Sequence, residues 1–187
     1  FTTQSQTASA SASAKVADAS EEAVIDLEQK IVQIVEFSDF QCPACRAALP
    51  IKDALMEQYP NQVEFVYRHY PLLQIHPNAM ISAQAAELAG EYGKFWPMHD
   101  LLFENQEVWS DQSMDEAKQT FRQYAEQLGI PGEEFTTKLD DARLKESIQQ
   151  DISVGDTVRV SGTPTFFVNG QKVSAPEVIP TVSELLQ

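Results

Sequence analysis

Cysteine and histidine are scarce in this chain: its 187 residues include two cysteines and three histidines. A structural zinc closes with four ligands, usually thiolates and imidazoles. His69, His76 and His99 have none of the paired spacing of a zinc finger, so the ligand count argues against a metal centre. One cysteine pair also cannot build the multi-bridge framework of a small secreted scaffold. Basic residues are few as well: 13 lysines and arginines against 28 aspartates and glutamates, a formal net charge of −15. Nucleic-acid partners need a basic footprint, so that class is excluded. The acidity reads first as solubility and only secondarily as steering of basic partners. Long apolar runs are also missing, and no stretch approaches the roughly 18 residues of a membrane-spanning helix. A hydrophobic content of 43% is nonetheless ample for a core. The length fits one domain, or one domain carrying an insertion.

Residues 1–14 hold no charge and almost no large apolar side chain, too little to offset the entropy of ordering them. Residues 1–21 read as a flexible low-complexity linker. They lack the basic start and apolar stretch of a signal peptide. Because the chain starts at Phe1, the expectation is that a signal peptide, a membrane anchor or another domain precedes it. A linker behind an anchor would suit a tethered protein of the cell envelope.

The two cysteines lie in Phe40-Gln41-Cys42-Pro43-Ala44-Cys45-Arg46, directly after the apolar run Ile31–Phe37. A Cys-x-x-Cys that leaves a strand and opens a helix sets two sulfurs one turn apart. The first meets the unpaired N–H groups and the dipole of the helix N-terminus, which favour a thiolate. The thiolate is the reactive species, so Cys42 is the predicted nucleophile. An inert staple is the alternative, but so short a loop restricts the unfolded chain little.

Around the pair, residues 31–37 read as a buried central strand and residues 22–27 as a short edge strand. A helix is predicted from about Cys42 to Gln58, with Pro43 in its first turn and Pro50 inside it as a kink. Residues 63–68 read as a second strand, parallel to the first. Near the C-terminus two short strands flank Asn169-Gly170, a strong hairpin signal. A last helix follows. Ser174 and Glu177 have capping-box spacing, whereas Pro180 speaks against a helix already running there. Between the halves, residues 70–162 carry helical stripes such as Ala79, Ala83, Ala86, Gly90 and Ala117, Phe121, Tyr124, Leu128, read as core. Leu144, Ile148, Ile152 and Gly155 form another. Trp96 and Trp109 read as core or rim, and the three histidines as structural.

With these pieces assembled, the chain resembles the thioredoxin superfamily, specifically DsbA-like thiol:disulfide oxidoreductases with a helical insertion. Four stretches carry the likeness: Glu36–Cys45, Tyr67–Leu72, Gly93–Asp100 and Ser161–Phe166. The resemblance implies an α/β thioredoxin-like fold with an inserted all-helical subdomain. A first thioredoxin-like part would span residues 22–69, the insertion 70–160 and the second part 161–187. It further implies a cis peptide before Pro164, facing the cysteines, and a backbone at Thr163 that pairs with extended substrate. Glu36, six residues before Cys42, falls where the family keeps a buried acid. Its apolar neighbours also favour burial, and it would exchange a proton with Cys45, through water. Phe40 is expected, from position alone, to line an exposed apolar patch for clients. Pro43 and Ala44 help set the reduction potential and flank the substrate. Ala44 offers no side-chain donor to the Cys42 sulfur, which argues for an intermediate to oxidising couple rather than an extreme oxidant.

The implied activity is an extracytoplasmic oxidase that forms disulfides in client proteins through Cys42 and Cys45. It needs no cofactor beyond the two sulfurs and no metal. A membrane partner of the DsbB or VKOR type would reoxidise it. Periplasm, Gram-positive exterior and thylakoid lumen all fit. A tethered reductase, a specialised isomerase and a redox-inert binding module remain as alternatives.

Overall fold

The apolar run ahead of the cysteines forms β1 (Val32–Ser38) in a computed structural model that describes residues 31–187. The linker expected over 1–21 and the strand expected over 22–27 lie outside the described residues. β1 runs parallel to β2 (Val63–His69), with Val32 opposite Val63 and Ser38 opposite His69. On its other side it runs antiparallel to β3 (Thr165–Val168), with Ile34 opposite Val168. β3 turns into β4 (Gln171–Val173), and the sheet order is β2-β1-β3-β4. β1 therefore has a partner on each side, which accounts for its strongly apolar composition. The β3–β4 turn is made by Asn169 and Gly170 at φ 47° and 78°, the left-handed pair that a two-residue hairpin loop requires.

α1 (Pro43–Gln58) starts immediately after Cys42, with Pro43 at its first position, and continues unbroken through Pro50. Its Ala48 and Leu55 pack against Val32 and Ile34 of β1. α8 (Val178–Leu185) adds Val178 and Val182 to the same cluster. The start of this last helix resolves the conflicting signals around Pro180. Ser174 and Glu177 form a reciprocal capping box around a short 3-10 turn at Ala175–Glu177. Pro180 then falls in the first turn of α8, where a missing N–H leaves no bond unmade.

Between β2 and β3 come α2 (Ala79–Glu91), α3 (Phe95–Glu104), α4 (Gln106–Trp109), α5 (Met114–Gln127), α6 (Gly132–Lys138) and α7 (Ala142–Thr157). Their apolar stripes converge on one core containing Ala86, Met98, Phe103, Trp109, Phe121 and Leu144. Trp109 is buried and Trp96 sits at the rim. α7 lies close over the end of the sheet at Gly155, where a Cβ would stand 2.7 Å from the Tyr70 ring and 3.2 Å from Phe37. Among the described residues, no helix is long and apolar enough to cross a membrane.

Candidate active site

Cys42 is the N-cap of α1, and its carbonyl accepts from the Cys45 and Arg46 amides at 3.1 and 3.2 Å. Its side chain therefore stands at the helix N-terminus, close to the Ala44 and Cys45 amides. Both cysteines are free thiols and both are buried, Cys42 at 7% exposure and Cys45 at 1%. Cys42 Sγ lies 3.5 Å from the Thr163 carbonyl oxygen. The Thr163–Pro164 peptide is cis. The loop before β3 thus meets the cysteine loop although 121 positions separate Cys42 from Thr163.

The two thiols are electrostatically unequal. A hydrogen bond from Cys45 lowers the Cys42 pKa from 9.0 to about 5, helped by the Cys45 and Ala44 amides and by Thr163. Burial pushes the Cys45 thiol far up, and its bond to the Cys42 sulfur adds to that. At neutral pH one sulfur is a thiolate and the other keeps its proton. This matches a nucleophile followed by a resolving cysteine.

Behind them, Glu36 is 6% exposed on β1. Burial raises its pKa from 4.5 to about 7, against smaller opposing effects of Ser38 and Lys52. Lys52 of α1 pairs with Asp53 and Asp100 at 3.2 Å each, and its ammonium lies 5.2 Å from the centre of the Trp96 ring. Asp39 buttresses the cysteine loop. Its amide donates to Cys45 Sγ at 3.5 Å. Its carboxylate accepts from the Gln41 and Leu72 amides and meets His76 Nδ1 at 2.7 Å.

Phe40 departs from expectation. It is 1% exposed, stacked on Tyr67 at 5.0 Å and packed on Phe103. It anchors the cysteine loop in the core and offers no surface to a client, because the chain turns its side chain inward before Cys42. Pro43 and Ala44 are exposed beside the sulfurs. Ala44 and Pro164 line an open groove of about 480 Å³ with Ala47, Ala48, Ile51 and Ala175.

Several participants were not singled out by sequence reasoning, Gln106 and Ser38 among them. Gln106 at the start of α4 donates to the Phe40 and Cys42 carbonyls at 2.7 and 3.0 Å, so the insertion grips the cysteine loop directly. No local signal marks a glutamine that acts from another subdomain. Ser38 is buried beside Glu36, Cys45 and Tyr67. Its signal was present: it follows Glu36 by two on a strand and so shares its face.

A family model described as Thioredoxin matches residues 4–187. The Na(+)/H(+) antiporter NhaA 3 of Salinispora tropica is 42% identical over 152 residues, which are 81% of this chain and 22% of the antiporter. NhaA 1 of Salinispora arenicola is 40% identical over 141 residues, 75% of this chain and 20% of that protein. The chain spans about a fifth of the length of these curated relatives. Among solved structures, oxidised BdbD from Bacillus subtilis has a TM-score of 0.72 at 22% identity, covering 83% of this chain and 87% of that one. MdbA, a thiol-disulfide oxidoreductase from Corynebacterium diphtheriae, has a TM-score of 0.66 at 18% identity, covering 86% and 85%. The DsbA oxidoreductase of Xylella fastidiosa has a TM-score of 0.67 at 18% identity, covering 85% and 86%. At these identities the likeness carries the fold.

Proposed function

Because the chain belongs to the thioredoxin family, we propose that it is a DsbA-like thiol:disulfide oxidoreductase that works as an oxidase outside the cytoplasm. The observation that carries this reading is the unequal pair, with Cys42 lowered to about 5 and Cys45 raised. A client thiolate attacks Cys42 of the Cys42–Cys45 disulfide, and Cys45 leaves as the reduced sulfur. The client's second thiolate then attacks its own sulfur in the mixed disulfide, which frees Cys42. Stabilising the Cys42 thiolate favours the reduced enzyme and so makes the disulfide an oxidant. Its pKa falls between the roughly 7 of thioredoxin and the roughly 3.5 of DsbA. Thr163 and the cis Pro164 beside Cys42 present backbone to an extended client, and the groove at Ala44 and Pro164 takes its apolar side chains.

An oxidase needs a reoxidant, and a membrane quinone-linked partner of the DsbB or VKOR type fills that role. An antiporter works in a membrane, so a chain that matches about a fifth of such proteins suits a domain held at a membrane surface.

The test is the equilibrium reduction potential in glutathione buffers, with insulin reduction and peptide oxidation as activity readouts. The expected value lies above that of thioredoxin, between about −270 and about −120 mV and toward the upper end. A value near −270 mV, about that of thioredoxin, would make the protein a reductase. No turnover in either direction would leave a binding module, and full activity in Cys42→Ser would sink the mechanism.

A further inference from the structure

Three side-chain oxygens among the described residues are buried without a hydrogen-bond partner: Ser38 Oγ, Tyr67 OH and Thr163 Oγ1. Buried hydroxyls are normally satisfied. These three are gathered round one sulfur. Ser38 and Thr163 both hold the Cys45 pKa down against burial, and Cys45 pushes the Tyr67 pKa up.

Ser38 holds the central place. It is 1% exposed and projects from β1 on the same face as Glu36. Tyr67 stands opposite Glu36, and His69 opposite Ser38, across the parallel β1–β2 pair. The amide of the next residue, Asp39, already touches Cys45 Sγ at 3.5 Å. Ser38 lowers the pKa of both Glu36 and Cys45, which places its hydroxyl near each of them. Tyr67 approaches Ser38 and acts on the other two through charge. In the reduced form the Ser38 hydroxyl closes a hydrogen bond with none of them. A hydroxyl donates and accepts at once. Cys45 is 1% exposed, so its sulfur is almost entirely shielded from bulk water.

We propose that Ser38 relays the proton that passes between the Glu36 carboxyl and the Cys45 sulfur during disulfide exchange. The proposal rests on the oxidoreductase reading above. When a client thiolate attacks Cys42, a client–Cys42 S–S bond forms and the Cys42–Cys45 bond breaks. The bonding pair stays on the Cys45 sulfur, and the client sulfur is oxidised. Ser38 gives its hydroxyl proton to that sulfur while the Glu36 carboxyl gives its own to the Ser38 oxygen. Ser38 ends unchanged and Glu36 ends as a carboxylate. In the reverse step Cys45 loses its proton to Ser38 and Glu36 recovers one as Cys45 attacks the mixed disulfide. The charged and titratable groups facing this path are Lys52, Cys42 and Cys45 from α1, Tyr67 and His69 from β2, and Asp39 from the cysteine loop.

The experiment starts from a Cys42–glutathione mixed disulfide and follows glutathione release by Cys45 against pH. In the wild type the rate should inflect with the Glu36 titration, near 7. Ser38→Ala should slow release on the order of a hundredfold at neutral pH, the lower end for a lost general acid–base group, and lose that inflection. Ser38→Thr, which keeps the hydroxyl, should release glutathione at close to the wild-type rate, which separates the relay from packing. Alkylation of Cys42 should stay at the wild-type rate in both. In a Glu36→Gln background Ser38→Ala should add nothing further. A Ser38→Ala rate within about threefold of wild type, or a full slowing retained in Glu36→Gln, would overturn the relay. Those results in an enzyme that still turns over end the relay alone, whereas a wild type without turnover ends the oxidoreductase reading itself.

Discussion

At the scale of single residues, Glu36 holds a proton that the unfolded chain would release. Its pKa rises from 4.5 to about 7 through burial. Between those values the native state binds more protons than the unfolded state, so stability falls as pH rises. The favourable contribution is complete below about 4.5 and gone above about 7. The difference corresponds to about 3 kcal/mol. Urea unfolding of the reduced protein and of Glu36→Gln, at pH values on either side of this window, measures it. The variant should gain on the wild type by about that amount as pH rises; parallel pH profiles would refute a buried carboxyl. Sequence reasoning reached Glu36 through the family resemblance, and its apolar neighbours in an expected central strand favoured burial over a solvent-facing side chain. It misread Phe40, because position next to a nucleophile says nothing of which way a side chain turns.

Elements carry the next level of control. α1 delivers both cysteines, and two contacts from the helical insertion hold its start and the sheet end in place. Gln106→Ala would strip the Phe40 and Cys42 carbonyls of their buried donor. We expect a loss of about 1–3 kcal/mol in urea unfolding and a shifted pH midpoint for Cys42 alkylation. An unchanged midpoint would mean that α4 is only a lid. Gly155→Ala would press a methyl into the Tyr70 ring, which Asp156 and the Val160 carbonyl hold by hydrogen bonds. Overpacking of this kind costs about 1–3 kcal/mol, and a variant as stable as wild type would show that the ring gives way freely. β1, α1, β2 and the Asn169-Gly170 hairpin were legible because strand composition, capping and turn chemistry are local. Gln106 and the close approach at Gly155 were not, because they exist only once distant segments meet.

For the molecule as a whole, redox state and stability are one equilibrium. Lowering the Cys42 pKa from 9.0 to about 5 stabilises the reduced fold. This contribution is complete above about 9 and lost as pH falls through about 5. The Cys42–Cys45 disulfide closes too short a loop to compensate by constraining the unfolded chain. The reduced protein should therefore have the higher urea midpoint at neutral pH, and the gap should close on acidification through 5. A more stable oxidised form would contradict the assigned thiolate.

The pairing of β1 with β3 carries one more consequence, for how the protein is made. The strand that leads into the cysteines finds its antiparallel partner only at Thr165–Val168. At a synthesis rate of about 10 residues per second, Cys45 leaves the ribosome roughly 10 seconds before that partner does. Through that interval Cys42 lacks the Thr163 contact that helps to lower its pKa. That share of its reactivity arrives with β3.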